Sequence, residues 1–190
     1  MKFYESVLPE SLCDELFNLA KTVATSYGGI RIKTPSNPNG EALECWLNYG
    51  WEESLVQDST PVFCIKVPEF LAEYIEKELE SFGVYDRSKY KSFKENYGLG
   101  CMLYVWTFNS YIASHHDSDR LSATIYLNRE WSYEEGGHFT WQDPETNDWN
   151  LFIPKFNNMI VNTGGIAHAT TPVKSKTQFR ISLQLFFLPR

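Results

Sequence analysis

The run Ser114-His115-His116-Asp117 sets two imidazoles and a carboxylate side by side. In an extended segment side chains alternate between faces, so His115 and Asp117 point one way and His116 the other. One imidazole and one carboxylate on a shared face are two ligands for a divalent metal. His168 follows Met159–Asn162 and the pair Gly164-Gly165, where a neighbouring strand could carry it to the same ion. Two histidines and a carboxylate on one face of an octahedral ion leave three positions open, as in non-haem ferrous centres. A second register, His116 with Asp119, stays open, although its spacing splits the two side chains across a strand. All four histidines, His138 included, lie in the second half of the chain. His138 has two readings, a residue of the substrate pocket or a side chain on the sheet surface, and the second is preferred.

A cationic group follows downstream. In Arg180-Ile181-Ser182 the guanidinium and the hydroxyl share a face of a strand. Together they can hold a carboxylate, the arginine in bidentate fashion. A metal with open positions and a nearby carboxylate anchor suit a keto diacid. Its keto and first carboxylate oxygens would chelate the metal while its far carboxylate reaches Arg180. Taken alone, Arg180 would sooner be read as a surface arginine at the edge of a strand.

The elements that must position these groups follow from patterning. Leu12, Leu16, Leu19 and Val23 repeat at helical spacing, with Ser11 and Asp14 as a capping box in front and Gly28-Gly29 behind. Pro68 opens a second helix with Phe70, Leu71, Tyr74, Ile75 and Leu79 as its apolar stripe and Gly83 at its end. Residues 33–40 read as a loop and 43–51 as an extended aromatic segment. From Gly98 short β-rich runs recur: Cys101–Trp106, Tyr111–His115, Ser122–Leu127, His138–Trp141, Leu151–Ile153, Met159–Asn162 and Phe179–Leu188. Short strands at this spacing predict a sandwich, barrel or jelly roll with the helices packed on one sheet.

Composition narrows the class. The 190 residues suit a single domain, and the 13 Phe, 11 Tyr and 6 Trp demand a core or a pocket. The net charge of -7 argues against a phosphate-backbone binder. No apolar run is long enough to cross a membrane and no secretory leader is legible, so a cytoplasmic protein is expected. Cys13, Cys45, Cys64 and Cys101 are scattered and read as reduced, structural thiols.

The ordered set Tyr111-Ile-Ala-Ser-His115-His-Asp117, Ile125-Tyr126-Leu127-Asn128 with Trp131, Gly136-Gly137, Ile153-Pro154, Met159-Ile-Val161, His168 with Pro172-Val173, and Arg180-Ile-Ser182 resembles the Fe(II)/2-oxoglutarate-dependent dioxygenases, in particular their prolyl 4-hydroxylase-like branch. The resemblance covers roughly residues 99–187. It implies a mainly β protein with flanking helices around a double-stranded β-helix, a jelly roll of cupin-like form. On that reading residues 1–190 form one domain, with 1–97 mostly supporting helices and loops and 98–190 the catalytic core. It implies Fe(II) on His115, Asp117 and His168, with 2-oxoglutarate on Arg180, Ser182 and Tyr126 and O2 as the other cosubstrate. Ascorbate is allowed as an accessory reductant. Tyr104 or Tyr111 would be the tyrosine that an earlier strand supplies, and Tyr104 is preferred. Thr170 departs from the family, which has a small apolar residue there. Asp117 implies hydroxylation, since related halogenases carry a small residue at that position. Phe186 stands where the nucleic-acid demethylases carry a second arginine.

The substrate implied is a prolyl or other amino-acid residue, peptidyl or free. A small secondary metabolite is the alternative, and a non-enzymatic cupin-like metal- or sugar-binding protein is the competing class. Trp46, Tyr49, Trp51, Trp106, Trp141 and Trp149 are candidates for an aromatic pocket rim. The partners expected are a peptide or small molecule, with neither nucleic acid nor membrane.

Overall fold

A computed structural model of the chain describes residues 1–26, 43–45, 63–95, 100–117, 121–163 and 165–190. Gly28, Gly29, the loop 33–40, Trp46, Tyr49, Trp51, Asp119 and Gly164 lie outside the described residues. Among the described residues, two antiparallel sheets form a sandwich. The larger is seven-stranded: β1 (Lys2–Tyr4), β2 (Leu43–Cys45), β3 (Phe63–Lys66), β4 (Cys101–Trp106), β6 (Leu121–Tyr126), β9 (Met159–Asn162) and β11 (Arg180–Phe187), in the spatial order β1-β9-β6-β11-β4-β3-β2. The smaller is four-stranded: β5 (Ile112–His115), β7 (Phe139–Gln142), β8 (Trp149–Phe152) and β10 (His168–Thr170), in the order β5-β10-β7-β8. From β4 onward the chain crosses to the other sheet at every connection except the β7–β8 hairpin, which makes the jelly roll a double-stranded β-helix.

Alternation along the large sheet separates two environments. Leu103 and Val105, Ala123 and Ile125, Met159 and Val161, and Ile181, Leu183, Leu185 and Phe187 join one apolar core. The helices complete that core. α1 (Glu10–Ser26) contributes Leu12, Leu16, Ala20 and Ala24, and α2 (Glu69–Ser81) contributes Leu71, Ala72, Ile75 and Leu79. The intervening residues Tyr104, Trp106, Ser122, Thr124, Ile160, Asn162, Arg180 and Gln184 line a cavity between the sheets. Period 2 thus puts grease on one face of each strand and chemistry on the other.

Several expectations are corrected. Ser11 does not cap α1, because the helix starts at Glu10, and the N–H groups of Leu12 and Cys13 donate to Pro9 O. Ser11 is therefore inside the first turn, and the Asp14 carboxylate instead accepts from the Arg129 guanidinium at 2.8 and 2.9 Å. Pro68 is the flanking residue before α2 rather than its first helical residue. Phe70 and Tyr74 turn away from the core, being 67% and 42% exposed, so the apolar stripe of α2 is narrower than its sequence suggests. Residues 1–97 supply three strands of the large sheet as well as helices: β2 lies within the segment 43–51 expected to be extended, whereas β1 and β3 were not expected. Each is only three or four residues long, too short to show a period. His168–Thr170 is likewise a strand that its sequence hides. Gly83, with φ of 82°, ends α2 as expected. Cys13 and Cys101 are buried free thiols.

Candidate metal centre

β5 and β10 are neighbours, and their register sets His168 directly opposite His115. The two imidazole centroids are 4.3 Å apart. Asp117, just beyond the end of β5, completes the cluster: its Oδ1 lies 3.7 Å from His115 Nε2 and its Oδ2 3.6 Å from His168 Nε2. One donor atom from each of the three residues lies within 4.8 Å of the others, and all three side chains are buried. His115 Nδ1 lies 2.9 Å from Ala113 O and His168 Nδ1 lies 2.9 Å from Ile166 O. Carbonyl oxygens only accept, so both Nδ1 atoms carry the proton and both Nε2 atoms present a lone pair to the shared point. The Ser122 hydroxyl donates to Asp117 Oδ2 at 2.6 Å and fixes the carboxylate. Neutral imidazoles with oriented Nε2 atoms, beside an anchored carboxylate, are the donor set that a ferrous ion takes.

The other end of the cavity holds a buried cation. Arg180 is 1% exposed, and its Nε and Nη1 have no hydrogen-bond partner. Its guanidinium carbon lies 4.6 Å from the Trp106 ring centroid and 5.0 Å from that of Tyr126. Burial pushes the Arg180 pKa down, and it pushes the Tyr126 phenol up to about 12, the nearby guanidinium opposing the second shift. The Tyr126 hydroxyl is also buried without a hydrogen-bond partner. Buried donors without acceptors are rare and costly in folded proteins, and a cation costs more than a neutral group. Donors grouped around a cation fit a carboxylate. Residues 99–188 match the family model of the 2OG-Fe(II) oxygenase superfamily.

Over residues 99–188 the chain belongs to the 2OG-Fe(II) oxygenase superfamily.

The oxygenase matches no curated protein. Among solved structures its fold resembles a Pseudomonas putida prolyl-4-hydroxylase, at 15% identity and a TM-score of 0.66 over 100% of this chain and 92% of the other. It also resembles a Trichoplax adhaerens prolyl hydroxylase solved with a hypoxia inducible factor peptide fragment, at 13% identity and a TM-score of 0.61 over 98% of this chain and 82% of the other. A prolyl 4-hydroxylase from Phytophthora capsici gives 12% identity and a TM-score of 0.56 over 98% and 58%.

The oxygenase brings His115, Asp117 and His168 together and sets Arg180 on the same cavity, with Tyr104 in its wall. Ser182 is fully buried, and its Oγ accepts from the Trp106 indole N–H at 3.2 Å. Tyr126 faces Arg180 rather than the metal end. Tyr111 is not among the cavity-lining residues, whereas Thr170 is. His116 turns outward, with Nδ1 3.0 Å from Gly165 O, so it stands apart from the cluster. His138 is buried rather than on the sheet surface; it stacks on Tyr133 at 4.9 Å and does not line the cavity. Of the tryptophans proposed for the rim, Trp106 supports Arg180, Trp141 packs against Phe3 and Phe139, and Trp149 is exposed. Ser122, Thr124 and Gln184 are site residues that the motif reading missed. Their signal was parity: Ser122 and Thr124 alternate with Tyr126, and Gln184 alternates with Arg180 and Ser182.

Gly137 explains the Gly136-Gly137 pair. Its φ is +64°, and a Cβ there would stand 2.6 Å from Arg180 Cδ. Gly137→Ala is therefore expected to cost about 1–3 kcal/mol in backbone strain and also to displace the arginine stem. Gly83→Ala shares the positive φ of 82° but meets nothing within 4 Å, so it should lose stability alone. Urea unfolding of both variants, paired with 2-oxoglutarate titration, separates the two effects.

The metal-free oxygenase should also be acid-sensitive. Burial, and then the His168 imidazole, hold the His115 pKa below its ordinary value. The unfolded chain, with a histidine pKa of about 6.5, then binds more protons than the folded one. Stability present near neutrality is lost as the pH falls from about 6.5 toward the lowered value. Melting curves in chelator should show a Tm that falls across this window, and His115→Gln should flatten the fall.

Proposed function

We propose that the protein is an Fe(II)- and 2-oxoglutarate-dependent hydroxylase of an unactivated C–H bond, most plainly in a prolyl or other amino-acid residue. The observation that carries this reading is the cavity with the His115–Asp117–His168 cluster at one end and a buried guanidinium with orphaned donors at the other. On this reading the three ligands hold the iron. Arg180 takes the far carboxylate, and its Nε and Nη1 gain acceptors. The Tyr126 hydroxyl lies beside that carboxylate, while Ser182 and Trp106 hold the floor under it. Tyr104 faces the cosubstrate from β4. The bound iron and keto acid supply the oxidation with O2, and the protein supplies positioning and a dry cavity. The apolar walls contributed by Ile112, Phe139, Ile160 and Phe186 suit a site that keeps bulk water away from the oxidation.

A peptidyl substrate is supported by the fold shared with prolyl hydroxylases, one of them solved with a bound peptide fragment. A cupin-like binding protein would have no need of a fully buried, unpaired arginine. The test is incubation with Fe(II), 2-oxoglutarate, O2 and a panel of proline-containing peptides, free amino acids and small metabolites, with and without ascorbate. Succinate release together with a gain of one oxygen atom, read by mass spectrometry, supports the proposal. Iron binding with no 2-oxoglutarate binding sinks it.

A further inference from the structure

Gln184 stands on the cavity floor between the two ends just described. β11 turns Arg180, Ser182, Gln184 and Phe186 toward the cavity side. Its register with β6 sets Phe186 opposite Ser122, Gln184 opposite Thr124, and Ser182 opposite Tyr126. Ser122 holds Asp117, so its level marks the metal end. Tyr126 lies under the guanidinium, so its level marks the anchor end. Gln184 and Thr124 are the intermediate pair, and both line the cavity.

The Thr124 hydroxyl donates to Gln184 Oε1 at 2.7 Å. With its carbonyl oxygen held by Thr124, the amide keeps its N–H donors to offer to the cavity. We infer that Gln184, oriented by Thr124, binds the cosubstrate by donating to the acceptor oxygens of the metal-side end of a 2-oxo acid that runs from the triad to Arg180. The inference rests on the function proposed above. A keto group next to a carboxylate presents only acceptors, and a neutral amide meets them without adding charge beside the metal. A ligand lacking acceptors there leaves the donors unpaired, which is how a polar site rejects an analogue.

The experiment is anaerobic titration of 2-oxoglutarate into the Fe(II)-loaded protein, followed by the visible absorption of the chelate, with Fe(II) affinity measured separately. Gln184→Leu is expected to weaken 2-oxoglutarate binding about 10-fold, as for a lost hydrogen bond to a charged group. Gln184→Glu should weaken it about 100-fold, because a second carboxylate then faces the anionic ligand. Thr124→Val, which frees the amide to rotate, should fall between wild type and Gln184→Leu. Fe(II) affinity and metal-free Tm should stay near wild type in all three. If the leucine variant fails to fold, Gln184→Met replaces it. Wild-type affinity in the leucine or methionine variant overturns the inference and leaves the proposed function standing. A wild-type protein that binds no 2-oxoglutarate overturns both.

Discussion

Asp117→Ala is expected to lower Fe(II) affinity by more than about 100-fold and to reduce turnover to background. Changes to residues that only orient a metal's ligands cost about 10–100-fold, and this change removes a proposed ligand itself. It also removes the only anion among the three donors, so two neutral imidazoles are left to hold a dication. The carboxylate sits between His115 and His168 at 3.7 and 3.6 Å and has no duty to the apolar core. The fold should therefore survive. Calorimetric Fe(II) titration and circular dichroism check the two halves of this expectation. An alanine variant that binds iron like wild type would remove Asp117 from the ligand set.

Arg180→Ala is expected to raise the 2-oxoglutarate requirement about 100-fold or more while leaving Fe(II) affinity near wild type. Truncating one partner of a buried, hydrogen-bonded charge pair costs about 2–5 kcal/mol, and the lower half of that range already corresponds to this factor. Arg180→Lys should recover part of the loss. An ammonium supplies charge but lacks the planar fork that meets a carboxylate bidentately and stacks between Trp106 and Tyr126. The measurement is the concentration of 2-oxoglutarate giving half-maximal chelate absorption. An unchanged value in the alanine variant would mean that the far carboxylate binds elsewhere.

The site was more legible in the sequence than the scaffold around it. His115, Asp117 and Arg180 stand out because the metal ligation and carboxylate capture proposed for them need particular residue types at particular spacings. The register that sets His168 opposite His115 is a tertiary fact, which no local pattern contains. Seven of the strands were visible as runs rich in β-branched and aromatic residues. β1 and β3 were hidden because a pairing three or four residues long leaves no period to read. Phe70 and Tyr74 misled for a related reason: helical spacing tells which residues share a face but not how wide the covered strip is. Ser122, Thr124 and Gln184 carry no motif of their own. They matter through what they touch, and only coordinates report that.

The two halves of the site belong to different layers. The histidines sit on β5 and β10 of the small sheet, whereas Arg180, Tyr126 and Gln184 sit on β11 and β6 of the large one. Iron by itself would stiffen one wall. A diacid gripped at both tips would bolt the walls together, resisting any breathing that pulls the sandwich open. Occupancy would then be felt as mechanical tension across the molecule, and the keto acid would serve as a removable crossbeam as well as a fuel.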